Sequence, residues 1–276
     1  MKTKCAFWVA GVGVLLGAAL RCIQMLFFFD YDTGFVTDSG VLTILYSGVT
    51  LVAAVVSGVL CLADRRRCGS LLRGRSWSAG VSALLVGVFL LLCAAALFWD
   101  AYIYRAFGVS YFVLPSQVGA HVPFAVFTAL FGAAAVAAAV LWMRGKAFPG
   151  KAGVLWALGV VWGVCYMLLT FMLYSASATT VENLYTVGGG AAMLFFLLAE
   201  GKLLSGVGGR STARTAFVFG LPAVVLWLTY VLSNTVLIVA GRGYATEMPY
   251  AIQLAMQLFH KLPRLSVRHL LDVAVV

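Results

Sequence analysis

Charge is what this sequence has least of. Only 10% of its 276 residues are charged while 63% are hydrophobic, and the mean hydropathy is +1.02. A water-soluble globule of this length needs far more polar surface to cover itself, so the composition excludes one and requires an integral membrane protein. Histidine is scarce as well, with three in the chain and no His/Cys ligand spacing, so neither a metal site nor a cofactor is expected. Enzyme motifs are missing: there is no HExxH, no GxSxG, no phosphate-cradling Gly loop with Lys, and no pair of intramembrane aspartates. The chain is therefore read as a non-enzyme.

The six cysteines, Cys5, Cys22, Cys61, Cys68, Cys93 and Cys165, include no CxxC pair. Most lie in apolar runs, where a thiol packs as a small hydrophobe. Cys68 lies in a basic loop, where an unmodified thiol is expected and reversible acylation is the alternative. The net charge of +10 does not indicate nucleic acid, because the bases fall in short loops between apolar runs rather than on one face.

What the sequence does contain is long apolar runs. A spanning helix needs about 20 mainly apolar residues, and seven segments qualify: 5–29, 41–63, 77–99, 122–143, 154–174, 184–203 and 216–240. They are too long for barrel strands and lack the alternation of one. The first begins like a signal peptide but continues apolar to Phe29, so a retained helix is expected. The fold class is thus all-α, a polytopic transmembrane bundle forming one domain over residues 1–276. A short eighth segment, Met248 to Phe259, is apolar over only 12 residues and reads as an interfacial, partial or early-ending crossing; after His260 the chain turns polar.

Orientation follows from the bases. Lys2, Lys4, Arg65, Arg66, Arg67, Arg73, Arg75, Arg144, Lys146, Lys151, Lys202, Arg210 and Arg214 fall at one set of helix ends, against Arg105 and Arg242 at the other. This places the N-terminus in the cytoplasm and the chain in a plasma or inner membrane. The opposite turns are acidic, with Asp30, Asp32, Asp38, Asp100 and Glu182. The aromatic-rich stretch from Trp99 to His121 suits the headgroup level.

Three short matches recur in order. Leu45–Gly48 resembles Leu184–Gly188, LADRR at 62–66 resembles LAEGK at 198–202, and HVPFA at 121–125 resembles EMPYA at 247–251. Two explanations stand: a 4+4 parallel repeat with halves 1–147 and 148–276, or chance similarity among apolar helices.

Few groups in the spans carry chemistry. Arg21, with Gln24 one turn on, costs about 2.5–3.5 kcal/mol to insert and is expected to snorkel outward beside Asp30 and Asp32, with inward pairing to Glu182 as the alternative. Arg21, Tyr46, Glu182, Asn183, Tyr185 and Asn234, with Ser47 and Thr186 beside them, form the candidate substrate-binding site. Gly188, Gly189 and Gly190 either break the sixth helix, freeing backbone groups at membrane depth, or let a neighbouring helix approach closely. Gly13 with Gly17 and Gly159 with Gly163 read as helix contacts. His121 is read as a helix-terminal residue, and Asp64 and Glu200 as local partners of nearby bases.

The expected function is binding or transport of a small polar or cationic solute through an outward-facing cavity, by occlusion between two four-helix halves. The alternatives are a non-catalytic scaffold or assembly subunit and, third, a lipid-modifying membrane enzyme. Expected partners are the lipid bilayer, such a solute, and a second copy of the chain or another membrane protein, with no nucleic acid.

Overall fold

A computed structural model of the chain describes residues 2–30, 36–63, 77–108, 110, 117–146, 153, 155–171, 184–207 and 210–240. These form helices α1 (Lys2–Phe27), α2 (Val41–Ala63), α3 (Trp77–Phe107), α4 (Val118–Met143) and α5 (Ala157–Leu169), a π-helical turn (Leu184–Gly188), then α6 (Gly189–Leu204) and α7 (Arg210–Val239). Among the described residues there is no strand beyond an isolated bridge between Phe29 and Val36. Six helices are long and apolar enough to cross a membrane, and α5 is a shorter apolar helix of 13 residues. Large apolar side chains such as Trp8, Leu15, Ile44, Leu85, Leu92 and Phe171 stand on the outside of the bundle. Water would not tolerate that surface, whereas lipid does. The chain is an all-α, multi-pass membrane helix bundle. The eighth segment, 248–259, lies outside the described residues, as do Asp64 and Cys68.

The helices outrun several of their expected limits. α3 continues to Phe107 rather than ending at Trp99. At 31 residues it is about 46 Å long, well beyond a hydrocarbon core of about 30 Å. Its last turns therefore carry Trp99, Tyr102 and Phe107, all exposed, past the apolar layer on a helix rather than on a loop. α4 begins at Val118 instead of Val122, so His121 lies within its first turns, and α7 begins at Arg210, so Arg214 is helical. Hydropathy marks the apolar slab, but backbone hydrogen bonding does not stop at its surface. What ends α4 is Gly145, whose φ of 70° suits a residue without Cβ, while the Lys146 N–H closes back on the Leu141 carbonyl.

Small residues set how closely the helices approach. α3 and α4 touch backbone to backbone: a Cβ on Gly87 would lie 2.8 Å from the Gly132 carbonyl and 2.8 Å from the Val136 nitrogen. α1 and α2 run antiparallel, with Gly13 against Ala53 and Gly17 against Thr50, and Gly17 also meets Thr229 of α7. Gly159 lies under the Phe131 ring and Gly163 against Leu194, so both expected small-residue pairs are helix contacts. α7 packs on α1, α2 and α6, and α5 joins α6 to α4, which pairs with α3. An aromatic column fills the α4–α5–α7 region: Trp156, Phe131, Trp162, Tyr166 and Trp227 follow one another at 5.6–6.2 Å between ring centres.

Gly87→Ala should destabilise the purified protein by about 1–3 kcal/mol, because backbone atoms cannot yield to the new methyl group. Gly11→Ala on α1 meets nothing within 4 Å and should be neutral or slightly stabilising through helix propensity. Thermal unfolding in detergent checks both, and equal losses would show that these contacts do not set the helix spacing.

Candidate functional site

α1 presents a buried stripe of Ala6, Ala10, Gly13, Gly17, Arg21 and Gln24, at intervals of three and four residues that keep one helix face turned inward. The stripe is small at one end and polar at the other. Its partner on α2 is Ala53, Thr50, Tyr46 and Thr43, in reverse order. Arg21 consequently ends up 3% exposed inside the bundle. Its Nη1 donates to the Tyr46 hydroxyl at 3.1 Å, and its guanidinium carbon lies 5.7 Å from the ring centre of Tyr46, 5.8 Å from that of Tyr185 and 5.2 Å from that of Tyr230. The rings are themselves stacked, Tyr46 on Tyr185 at 6.3 Å and Tyr185 on Tyr230 at 5.9 Å.

This corrects the snorkelling expectation. A desolvated cation–π contact contributes up to about 2 kcal/mol, and a hydrogen bond to a charged group about 1.5–3 kcal/mol. Three rings and one phenol thus match or exceed the insertion cost of the arginine, so the side chain has no need of the headgroup water. α1 contributes the cation, α2, α7 and the π turn one tyrosine each.

The surrounding polar groups divide into those that are committed and those that are not. Tyr185 donates to Thr50 Oγ1 at 3.4 Å, and Thr50 donates to the Tyr46 carbonyl at 2.7 Å. Gln24, one turn beyond Arg21, donates to Thr43 Oγ1 at 2.5 Å and to Asp38 Oδ2 at 3.3 Å. Asp38 also accepts from the Leu42 and Gly40 amides, at 2.8 and 3.0 Å, capping the start of α2. Its carboxylate is therefore engaged locally rather than held out to attract cations. By contrast, Asn234 Nδ2 and Thr229 Oγ1 are buried without a hydrogen-bond partner.

Of the residues selected from the sequence, Arg21, Tyr46 and Tyr185 are in direct contact. Asn234 is buried on α7 one turn past Tyr230, with Ser233 beside it accepting the Cys22 thiol through its carbonyl at 3.9 Å. Glu182 and Asn183 lie outside the described residues. Ser47 is turned back on its own helix, donating to the Thr43 carbonyl at 2.5 Å, and Thr186 is half-buried in the π turn. The irregularity near the triple glycine is that π turn, over Leu184–Gly188; Gly189 and Gly190 are already α-helical. Both are contact points. A Cβ on Gly189 would overlap the Trp227 indole, and one on Gly190 would lie 2.6 Å from Met167 Sδ. Tyr230, Thr50, Thr229, Gln24, Thr43 and Asp38 complete the cluster; none of them is among the candidate site residues that the sequence offers, although Gln24 stands one turn from Arg21.

A second polar cluster lies between α3 and α4. Asp100, expected in an acidic turn, is 0% exposed; it accepts the Ser110 hydroxyl at 2.6 Å and acts electrostatically on buried His121, whose Nδ1–H donates to the Gln117 carbonyl at 2.9 Å. Glu200 accepts the indole N–H of Trp156 at 3.3 Å. That bond, made across from the α5 end, replaces the expected pairing with a neighbouring base. Among the described residues no group of three or more His, Cys, Asp or Glu side chains is placed to hold a metal ion.

Comparison with known proteins adds no relative: no family model, no curated protein and no solved structure matches this chain.

Two substitutions probe the cluster. Tyr46→Phe keeps the ring over Arg21 but removes its oxygen, and should cost about 1–3 kcal/mol of stability; a loss below about 0.5 kcal/mol in thermal unfolding would mean that the phenol is dispensable. Asp38→Ala removes both the α2 cap and the Gln24 acceptor and should cost about 0.5–2 kcal/mol, read in the same way.

Proposed function

We propose that this membrane protein binds a small polar solute at the Arg21 cluster and passes it across the bilayer. The observation that carries the proposal is a permanent cation held 3% exposed within a spanning helix, where α1, α2, the π turn and α7 meet. Ionisable groups at membrane depth are costly and concentrate at solute and ion paths, and three tyrosine rings lie 5.2–5.8 Å from this guanidinium carbon. The bias of Lys and Arg to one set of helix ends supports a cytoplasmic N-terminus in a plasma or inner membrane. In that orientation the cluster lies toward the outer side, where α1 ends and α2 begins. Of the two solute types expected from the sequence, the polar one is retained. A cation would have to displace Arg21 from the tyrosine faces it already occupies.

A scaffold is the second reading, favoured by the close glycine contacts of α1 with α2 and α7 and of α3 with α4. Arg21→Met separates the two. The substitution removes the desolvation cost of the charge together with the donor to the Tyr46 hydroxyl. On the solute-binding reading, Arg21→Met, compared at a temperature where it is folded, loses every solute-dependent rise in unfolding temperature, and every solute flux into proteoliposomes, that the wild type shows. Retention of those effects in Arg21→Met, or their absence from the wild type across a panel of small polar solutes, would favour the scaffold.

A further inference from the structure

α3 has two faces of different content. One, from Ala83 to Asp100, is the buried seam with α4; the other carries Leu85, Val88, Leu92, Trp99 and Tyr102, all exposed and spaced so that they share one side of the helix. Arg105, one turn beyond Tyr102, is exposed beside them. The stripe is aliphatic over the apolar part of the helix and changes character at its end. Trp99 and Tyr102 are 60% and 62% exposed with ring centres 6.1 Å apart, and among the described residues neither they nor Arg105 makes a hydrogen bond or an ion pair. An indole N–H, a phenol and a guanidinium thus follow one another up the helix, each a donor without an acceptor among those residues.

Their spacing fits the depth of a lipid headgroup. The hydrocarbon core is about 30 Å thick and the bilayer about 40–45 Å with its polar regions, which leaves about 5–8 Å of headgroup on each side. Trp99 stands where the apolar run stops. Arg105 is about 9 Å further along the axis at 1.5 Å per residue, and a tilted helix climbs less than that. The charge fits as well. Asp100, the acid of this stretch, is 0% exposed and accepts the Ser110 hydroxyl, so the outward face carries the Arg105 charge with no carboxylate beside it.

We infer that the C-terminal end of α3 is a binding site for a phospholipid headgroup. The ester carbonyls of such a lipid and, above them, its phosphate are acceptors at successive depths. The Trp99 N–H donates to an ester carbonyl, and the Tyr102 hydroxyl and the Arg105 guanidinium to the phosphate, the latter as a charge-assisted pair. The acyl chains then lie along Leu85, Val88 and Leu92. A free phosphate ion would leave that aliphatic continuation unused, so the occupant is a lipid. The site is separate from the Arg21 cluster and holds whatever solute the cluster takes. Bound there, the lipid fixes the depth of the α3–α4 pair.

The test is thermal unfolding of the full chain in detergent, titrated with mixed micelles of phosphatidylglycerol or of a diacylglycerol glycoside with the same acyl chains, and separately with sodium phosphate. Phosphatidylglycerol is expected to raise the unfolding temperature saturably, at lower mole fraction than the glycoside, while sodium phosphate has no such effect. Arg105→Gln should unfold close to the wild-type temperature without lipid, yet need about fivefold more phosphatidylglycerol for half the effect. Tyr102→Phe should need about twofold or more, again for phosphatidylglycerol only, whereas Trp99→Phe should weaken both lipids. The last two substitutions leave the net charge unchanged, which separates this site from the general attraction of basic helix ends for anionic lipid. Should Arg105→Gln fail to fold, Tyr102→Phe decides alone. A loss with Arg105→Gln and none with Tyr102→Phe would reduce the effect to surface charge and overturn the inference. Equal potency of the two lipids, or a rise with sodium phosphate equal to that with phosphatidylglycerol, would overturn it too.

Discussion

Holding a guanidinium inside an apolar slab is the constraint around which one side of this bundle is arranged. Arg21 cannot lose its charge, so its surroundings have to replace water. They do it with the negative faces of three tyrosine rings and one phenol oxygen, drawn from α2, the π turn and α7. The helices that carry the rings must also approach one another closely, and a Cβ on Gly17 would meet Thr50 of α2 and Thr229 of α7, while one on Gly189 would meet Trp227 of α7. The glycines lie beside the cluster in sequence: Gly17 is one turn before Arg21, and Gly189 and Gly190 follow Tyr185 by four and five residues. The rings hold the cation, and the missing Cβ atoms let the helices carrying the rings come close enough to do so.

The same arrangement accounts for the π turn. Tyr185 lies within Leu184–Gly188, where the wider helical repeat alters the direction in which side chains leave the axis. Trp227 packs against Gly189 and Tyr230 against Tyr185, so α7 follows the irregular turn closely. Close packing and a departure from regular helix were posed as alternatives for the triple glycine. They turn out to be neighbours, with the π turn ending where the tightly packed glycines begin.

Away from the cluster, the α3–α4 pair shows how a polar residue can belong to a seam rather than to a loop. Ala83, Val86, Leu90, Cys93, Leu97 and Asp100 are all buried and recur every three or four residues, and His121, Phe124, Thr128, Phe131, Ala135 and Ala138 do so on α4. Asp100 and His121 continue these seams beyond the apolar centre. The spacing was present in the sequence. A hydropathy window averages over it and places the boundary at the first charge, so it puts Asp100 in a turn although α3 runs on to Phe107.

The sequence by itself determined that this is a helical membrane protein, where its apolar segments fall, and which few polar residues stand inside them. Each of those facts depends on the cost of exposing backbone and charge to lipid, a cost that is counted along the chain and needs no partner. Arg21, Tyr46, Tyr185 and Asn234 could be picked out on those grounds. Only the tertiary structure decided which way Arg21 turns, that Tyr230, Thr229 and Thr50 belong with it, and that Asp38 caps a helix instead of facing solvent. Those outcomes depend on the register of α1 against α2 and α7, helices separated by up to two hundred residues. Register is fixed by the matching of small side chains to large ones across an interface, and hydropathy alone carries no record of that match.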